Sequence, residues 1–193
     1  MSIAVQRLTE SARPKLVGHF LKLAPEDLRL RFGGPLAPEA IAAYVEGIDF
    51  ASDAVVGVHD EELDLAGVAH VAFGTEAAEL GVSVLPHYRG KGIGSALFAR
   101  AVEHARNRFV TRIYMHCLAE NAAMMHIARK AGMTICVDQG EADAFVDIPR
   151  ADAASLAGEF VEQRLALLDY ALKAHTAALR HIATALDGER KQD

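Results

Sequence analysis

The chain has little that would carry it out of a reducing, aqueous compartment, and it carries no excess of positive charge. It has two cysteines in 193 residues. Cys117 and Cys136 both fall in expected strands and read as buried thiols rather than a bridge, so nothing points to an oxidising compartment. No window approaches the roughly 20 consecutive apolar residues that span a bilayer. The opening Met-Ser-Ile-Ala-Val-Gln-Arg lacks the charged start and apolar core of a signal peptide, so a cytoplasmic protein without a membrane partner is expected. The net charge of −6 makes nucleic acid a poor partner and a cationic amine or basic protein an easier one. There are no repeats or low-complexity segments, and no metal is expected. The 51% apolar content is enough to build a sizeable core.

What is present is concentrated in residues 82–95, Val-Ser-Val-Leu-Pro-His-Tyr-Arg-Gly-Lys-Gly-Ile-Gly-Ser. The stretch reads as a strand, a glycine-dense turn and the start of a helix. Gly90, Gly92 and Gly94 remove Cβ atoms where the backbone must turn tightly. Helical periodicity begins at once: Ile93, Leu97, Ala101, Val102 and Ala105 share one face, with Arg100, Glu103, His104 and Arg106 expected to face away. The positive end of the helix dipole and its free N–H groups then meet at the glycines, where a phosphate is stabilised. Arg89 and Lys91 add charge at the same point, which makes a diphosphate cradle. Spacing rules out two other cradles. A P-loop needs glycine at position 85, which is Leu85. A G-x-G-x-x-G fingerprint started at Gly90 ends on Ser95, and started at Gly92 it ends on Leu97.

The run from Arg89 to Gly94 resembles the R/Q-x-x-G-x-G/A signature of the GNAT superfamily of acyl-CoA-dependent N-acetyltransferases. A second stretch, from Asn121 through Met124 and Lys130 to Gly132 and Met133, is similar to the Asn-led last helix of that family. Asn121 suits the N-cap and Gly132 the left-handed position that ends a helix. The strand Arg112–Leu118 precedes it, and the order of elements follows the family throughout 77–148. The resemblance implies an α/β (α+β) GNAT fold, a mixed central sheet of about six to seven strands flanked by helices. It also implies acetyl-CoA as co-substrate, bound at Val82, Ser83 and Val84 and at Arg89, Gly90, Lys91, Gly92, Ile93, Gly94 and Ser95, with Asn121 assisting. In the family the strand carrying Val82 and Val84 splays from its neighbour, freeing backbone groups for the pantetheine arm. Pro86, which cannot donate to a ladder, fits a strand end.

Amide formation from an acyl thioester needs a neutral amine, and a lysine-type amine with a pKa near ~10.4 is almost wholly charged at neutral pH. A carboxylate commonly takes the proton. Glu79, a charged residue in an otherwise apolar strand leading into the glycine turn, is the candidate base; related lysine acetyltransferases carry a glutamate in a similar context. Simple alternation onto a solvated face is the competing reading. His116 is a second, weaker candidate. The family often places a tyrosine acid seven residues after the helix-opening Asn, and here that position is Ala128. Tyr88, Tyr114 and His126 are poor substitutes, and a thiolate can leave and be protonated by water. Residues 24–36 and Gly47-Ile48-Asp49 resemble the GNAT domain of bacterial protein lysine acetyltransferases. Arg29, Arg31 and Tyr44 would then line the acceptor groove, or simply sit on a solvated helix. An arginine-lined groove would suit an acceptor with a carboxylate.

The remaining pattern places a strand at 3–8, helices over 10–23, after Pro25 and after Pro38, strands at 53–59, 63–74 and 77–84, and a final hairpin at 134–137 and 142–148. Residues 1–150 form the GNAT domain and 151–193 a helical extension. Within the extension Val161, Leu165, Leu168, Leu172, His175, Leu179, Ile182 and Leu186 alternate spacings of four and three. Such a seam, widened by Leu156, Phe160, Leu167 and Ala171, favours a homodimer through the C-terminal helix over a helix packed on its own domain. The expected activity is direct transfer of an acetyl group from acetyl-CoA to a primary amine in a ternary complex. A non-catalytic acyl-CoA-binding module is the alternative.

Overall fold

Two β-branched runs, each nearly continuous in apolar character, form neighbouring strands β2 (Ala54–His59) and β3 (Leu65–Phe73). Such runs fit strands covered on both faces, and every residue of β2 is buried. The computed structural model describes residues 3–74 and 77–189, with the backbone alone at 181 and 185–189. It adds β1 (Gln6–Arg7), β4 (Ala78–Val84), β5 (Arg112–Leu118), β6 (Thr134–Asp138) and β7 (Glu141–Asp147). The seven strands make one sheet in the order β1-β2-β3-β4-β5-β7-β6. All neighbours are antiparallel except β4 and β5, so the sheet is mixed. The expected six-residue first strand shrinks to two ladder-paired residues, Gln6 and Arg7 opposite Gly57 and Val56, with one further bond from Leu8 N–H to Val55 O at 2.8 Å.

Helices cover the two faces unequally. On one side α4 (Ile93–Arg106) and α5 (Ala122–Lys130) pack Leu97, Ala101 and Ala128 against Leu80, Val82, Ile113 and Met115. On the other, α1 (Arg13–Leu21), α2 (Pro25–Phe32) and α3 (Pro38–Glu46) bury Leu16, Phe20, Ile41 and Val45 against Val55 and Val68. Each of these three helices has proline in its first turn, where the missing N–H has no partner to lose. Their cover stops near β4. The same face of β5, β7 and β6 is open and carries exposed His116, Asp143 and Cys136. Cys136 is therefore not the buried thiol the sequence implied; only Cys117 is buried.

The chain closes with α6 (Ala153–Glu189), about 55 Å long at ~1.5 Å per residue. It packs on its own chain, but not through the heptad seam. The inward face carries buried Ser155, Ala166 and Ala177 and a row of polar struts. Gln163 accepts from the Arg7 N–H, Lys173 Nζ donates to His59 O at 2.8 Å, and Arg180 pairs with Glu62 at 2.6 Å. At its start Glu159 collects α4: Arg100 donates to its backbone oxygen, while His104 and Asn107 donate to its carboxylate. Arg100 and His104 are consequently buried, not solvent-facing as periodicity implied, because α6 supplies the carboxylates that solvate them. The seam residues from Val161 to Ile182 point outward and are exposed, as are Leu156, Phe160 and Leu167. Leu186 lies outside the described side chains.

Candidate active site

β4 pairs with β3 along its whole length but with β5 only at Ala78 and Glu79, opposite Ile113 and Tyr114. Beyond Glu79 the two strands part. Leu85 N–H donates back to Ala66 on β3, so alternation turns the backbone groups of Val82 and Val84 toward the gap. The gap is the mouth of a cleft of about 400 Å³. Its walls include Val82, Ser83 and Val84 on one side and Ala123, Met124, His126 and Lys130 of α5 on the other. The glycine turn closes one end.

At that end Gly90 and Gly92 hold φ values of 72° and 84°, the left-handed region that suits glycine. Gly92 is the N-cap of α4, and no side chain caps the helix. Its first N–H groups therefore face the cleft without a side-chain acceptor, the condition under which a helix start binds an anion. Of the residues singled out from sequence, Arg89, Gly90, Gly92, Ile93, Gly94, Ser95 and Asn121 line this cleft. Lys91 is exposed beside it, its ammonium 5.2 Å from the Tyr88 ring centroid. Two of the group are already engaged. Arg89 pairs with Asp27 at 2.8 Å and donates to Val84 O at 3.0 Å, which ties α2 to the turn. Asn121 accepts from Met124 N–H as the expected cap and donates to Leu30 O at 3.2 Å.

Glu79 stands at the point where the strands separate. It is exposed, and its side chain shares a face with Gly81 and Ser83. Its charge acts on Tyr44, His70 and Tyr114. Tyr114 donates its hydroxyl to Asp143, and this bond pushes its pKa up to about 12. His116 meets the same carboxylate at 2.7 Å and lies out on the open face. Ala128 is wholly buried in the α5 core, so the position where the family pattern puts an acid does not reach the cleft. His126, which helical phase made an unpromising substitute, does line it.

Two arrangements gave no signal in the sequence. His19 of α1 is buried, with Nδ1 on Leu65 O and Nε2 on the Ser83 hydroxyl, both at 2.8 Å. Burial lowers its pKa to about 4, so the ring is neutral and braces β4 from behind. The second links Arg31 of α2 and Tyr44 of α3, both singled out from sequence, to His70 of β3 and to Asp53 just ahead of β2. Contacts so far apart in the chain leave no periodicity to read. Among the described residues no group of three His, Cys, Asp or Glu side chains could hold a metal ion. No helix is long and apolar enough to cross a membrane.

Known proteins share this arrangement. Residues 23–133 match the acetyltransferase (GNAT) family. Streptothricin acetyltransferase of Streptomyces lavendulae is 34% identical over 94 residues, 47% of this chain and 49% of that protein. The chain thus spans about half the length of that relative. Among solved structures, the GNAT domain of S. lividans PAT superposes with a TM-score of 0.65 at 20% identity, covering 75% of this chain and 89% of that one. The structure of yncA from Salmonella typhimurium with its cofactor acetyl-CoA gives 0.58 at 14%, covering 77% and 95%. At these identities the superpositions show the fold. The family match takes in the glycine turn, the parted strands and the Asn-capped helix, and the chain belongs to the GNAT acetyltransferase family.

Proposed function

We propose that the chain, with residues 1–150 as its transferase domain, is an N-acetyltransferase acting on a primary amine. The observation that carries this is the parting of β4 from β5 immediately after Glu79, in a cleft that ends on an uncapped helix start. That geometry fits acetyl-CoA. The N–H groups at 92–95 suit the diphosphate, with Lys91 and the braced Arg89 beside it. The β5-facing groups of Val82 and Val84 suit the amide-bearing arm, which would run along Ser83 toward Glu79. Acetyl-CoA supplies an acetyl group activated as a thioester. Glu79, at the thioester end, takes the proton from the incoming ammonium and leaves a neutral amine to attack the carbonyl carbon. The new C–N bond forms as the C–S bond breaks, and the surplus proton on the new amide nitrogen passes to solvent. The CoA sulfur leaves as thiolate and takes its proton from solvent, since Ala128 offers none.

The test is thiol release from acetyl-CoA against a panel of amines and lysine peptides, with Glu79→Gln alongside. Release by the wild type and its loss in the variant, with acetyl-CoA still bound, supports transfer. Binding without release across the panel favours the acyl-CoA-binding module instead.

The outward seam of α6 supports a homodimer. An apolar row in alternating steps of four and three is filled by another helix of the same repeat, and a second copy presents the same face across a two-fold. The inward struts would keep α6 on its own domain while the seam pairs. Exposed Cys136 suits a reducing cytoplasm, as does the acetyl-CoA pool.

A further inference from the structure

We propose that Arg31 is an acceptor-recognition residue and that the acceptor carries a carboxylate close to its amine. This deepens the transfer reading and rests on it. Neighbouring arginines are committed elsewhere: Arg29 bridges Glu26 and Glu120, and Arg89 holds Asp27. Among the described residues Arg31 has no acidic partner. Its Nη2 donates to the Tyr44 hydroxyl at 3.1 Å, and its guanidinium lies 4.8 Å over the Phe32 ring and 6.0 Å from that of Tyr44.

The seat of that guanidinium is built. It rests flat on Gly81 of β4, where an added Cβ would come within 2.2 Å of Arg31 Cζ. Tyr44 is fixed in turn, its hydroxyl 2.8 Å from His70 Nδ1, and His70 Nε2 lies 3.2 Å from Asp53. Burial lowers the His70 pKa, so the ring is neutral. Every group in the chain is satisfied when Nε2–H donates to Asp53, Nδ1 accepts from Tyr44 O–H, and the Tyr44 oxygen accepts from Arg31. Arg31 keeps its charge and the rest of its planar fork unspent, pointed at a cleft it helps to line. A half-buried fork of N–H donors takes a carboxylate in bidentate fashion.

Position separates this site from the diphosphate end. Gly81 is three residues before Val84, roughly 10 Å back along the strand at about 3.3 Å per residue, and the glycine turn lies beyond that. Glu79 is two residues away on the same face, about 7 Å from Gly81. An acceptor whose carboxylate sits on Arg31 therefore brings a nearby amine to Glu79, and an amino acid has that spacing.

The experiment is calorimetric titration of the CoA-loaded protein with matched pairs: L-lysine and cadaverine, L-phenylalanine and phenethylamine, L-histidine and histamine. Initial rates with acetyl-CoA follow on the same pairs. At least one amino acid is expected to bind about tenfold to a hundredfold more tightly than its decarboxylated partner, the range of a charge-assisted contact. Arg31→Gln should erase that preference while the KM for acetyl-CoA holds. Gly81→Ala, which displaces only the end of a flexible side chain, should do the same without unfolding β4. Equal affinity within every pair overturns the inference, as does no binding of any amino acid or an Arg31→Gln defect confined to acetyl-CoA. A binding preference without transfer would instead count against the transfer reading.

Discussion

Glu79 and Tyr114 are the last paired neighbours of β4 and β5, and three residues further on Val82 begins the β4 wall of the cleft. The same sheet register thus sets where the strands part and where this carboxylate stands. Tyr114 is locked to Asp143 with its pKa pushed up to about 12, which leaves it a poor proton donor near neutrality. That leaves Glu79 as the proposed base.

Glu79→Gln should lower kcat by at least about 10²-fold, the usual contribution of a positioned base, with little change in acetyl-CoA affinity. The variant should recover rate as pH rises and the acceptor amine loses its proton in solution, without help from the enzyme. A variant that turns over at near wild-type rate would remove Glu79 from the chemistry.

Gly92→Val should weaken acetyl-CoA binding at least tenfold. The N-cap holds φ at 84°, a conformation that costs an L-residue about 1–2 kcal/mol. For a chain of this length that cost lowers Tm by roughly 2–8 °C. Gly18→Ala is the control: Gly18 lies within α1 with open space around it, so the change should stabilise the helix and leave binding alone. Calorimetry and thermal melts read both.

Stability should fall as pH drops from about 6.5 toward 4. Burial lowers His19 to about 4, so the unfolded chain takes up the proton first and unfolding is favoured across that window. The stabilisation is whole above the unfolded value near 6.5 and is lost by about pH 4, with His19 alone contributing on the order of 3 kcal/mol. His59, also lowered to about 4 by burial and the nearby Lys15 and Lys173 charges, adds in the same direction. Urea unfolding from pH 7.5 to 4 should show the slope, and His19→Asn should flatten it. An unchanged slope in the variant would show that the neutral ring is not what strengthens the brace behind Ser83.

The double change Leu168→Glu, Leu172→Glu should halve the solution mass without unfolding the chain. Both side chains are exposed, at 61% and 70%, so neither contributes to the core of one protomer. Light scattering on the wild type and the variant decides it; a wild-type monomer, or a variant that stays dimeric, would contradict the seam.

Much of the fold was legible because local rules agreed with one another. Pro25 and Pro38 marked α2 and α3, Asn121 marked α5, and the strand expected at Arg112–Leu118 is β5 at its full length, while the first helix, expected from residue 10, starts at Arg13. What escaped depended on contacts between distant segments. Arg100 and His104 carry the pattern of a solvated face, yet Glu159 of α6 buries them. Cys136 has a strand-like setting, but no helix covers the face of β6 that carries it. The seat of Arg31 on Gly81 joins α2 to β4, and nothing in either segment announces it. Helix α6 packs on its own domain through small and polar residues, and the leucines of the seam face out.

Hydrogen exchange with and without acetyl-CoA tests the central claim most directly. The account predicts that the amides of Val82 and Val84, which alternation turns away from β3, and those at 90–95 of the glycine turn gain protection when acetyl-CoA is added. Protection that falls elsewhere, or no change at those two segments despite saturating acetyl-CoA, would contradict it.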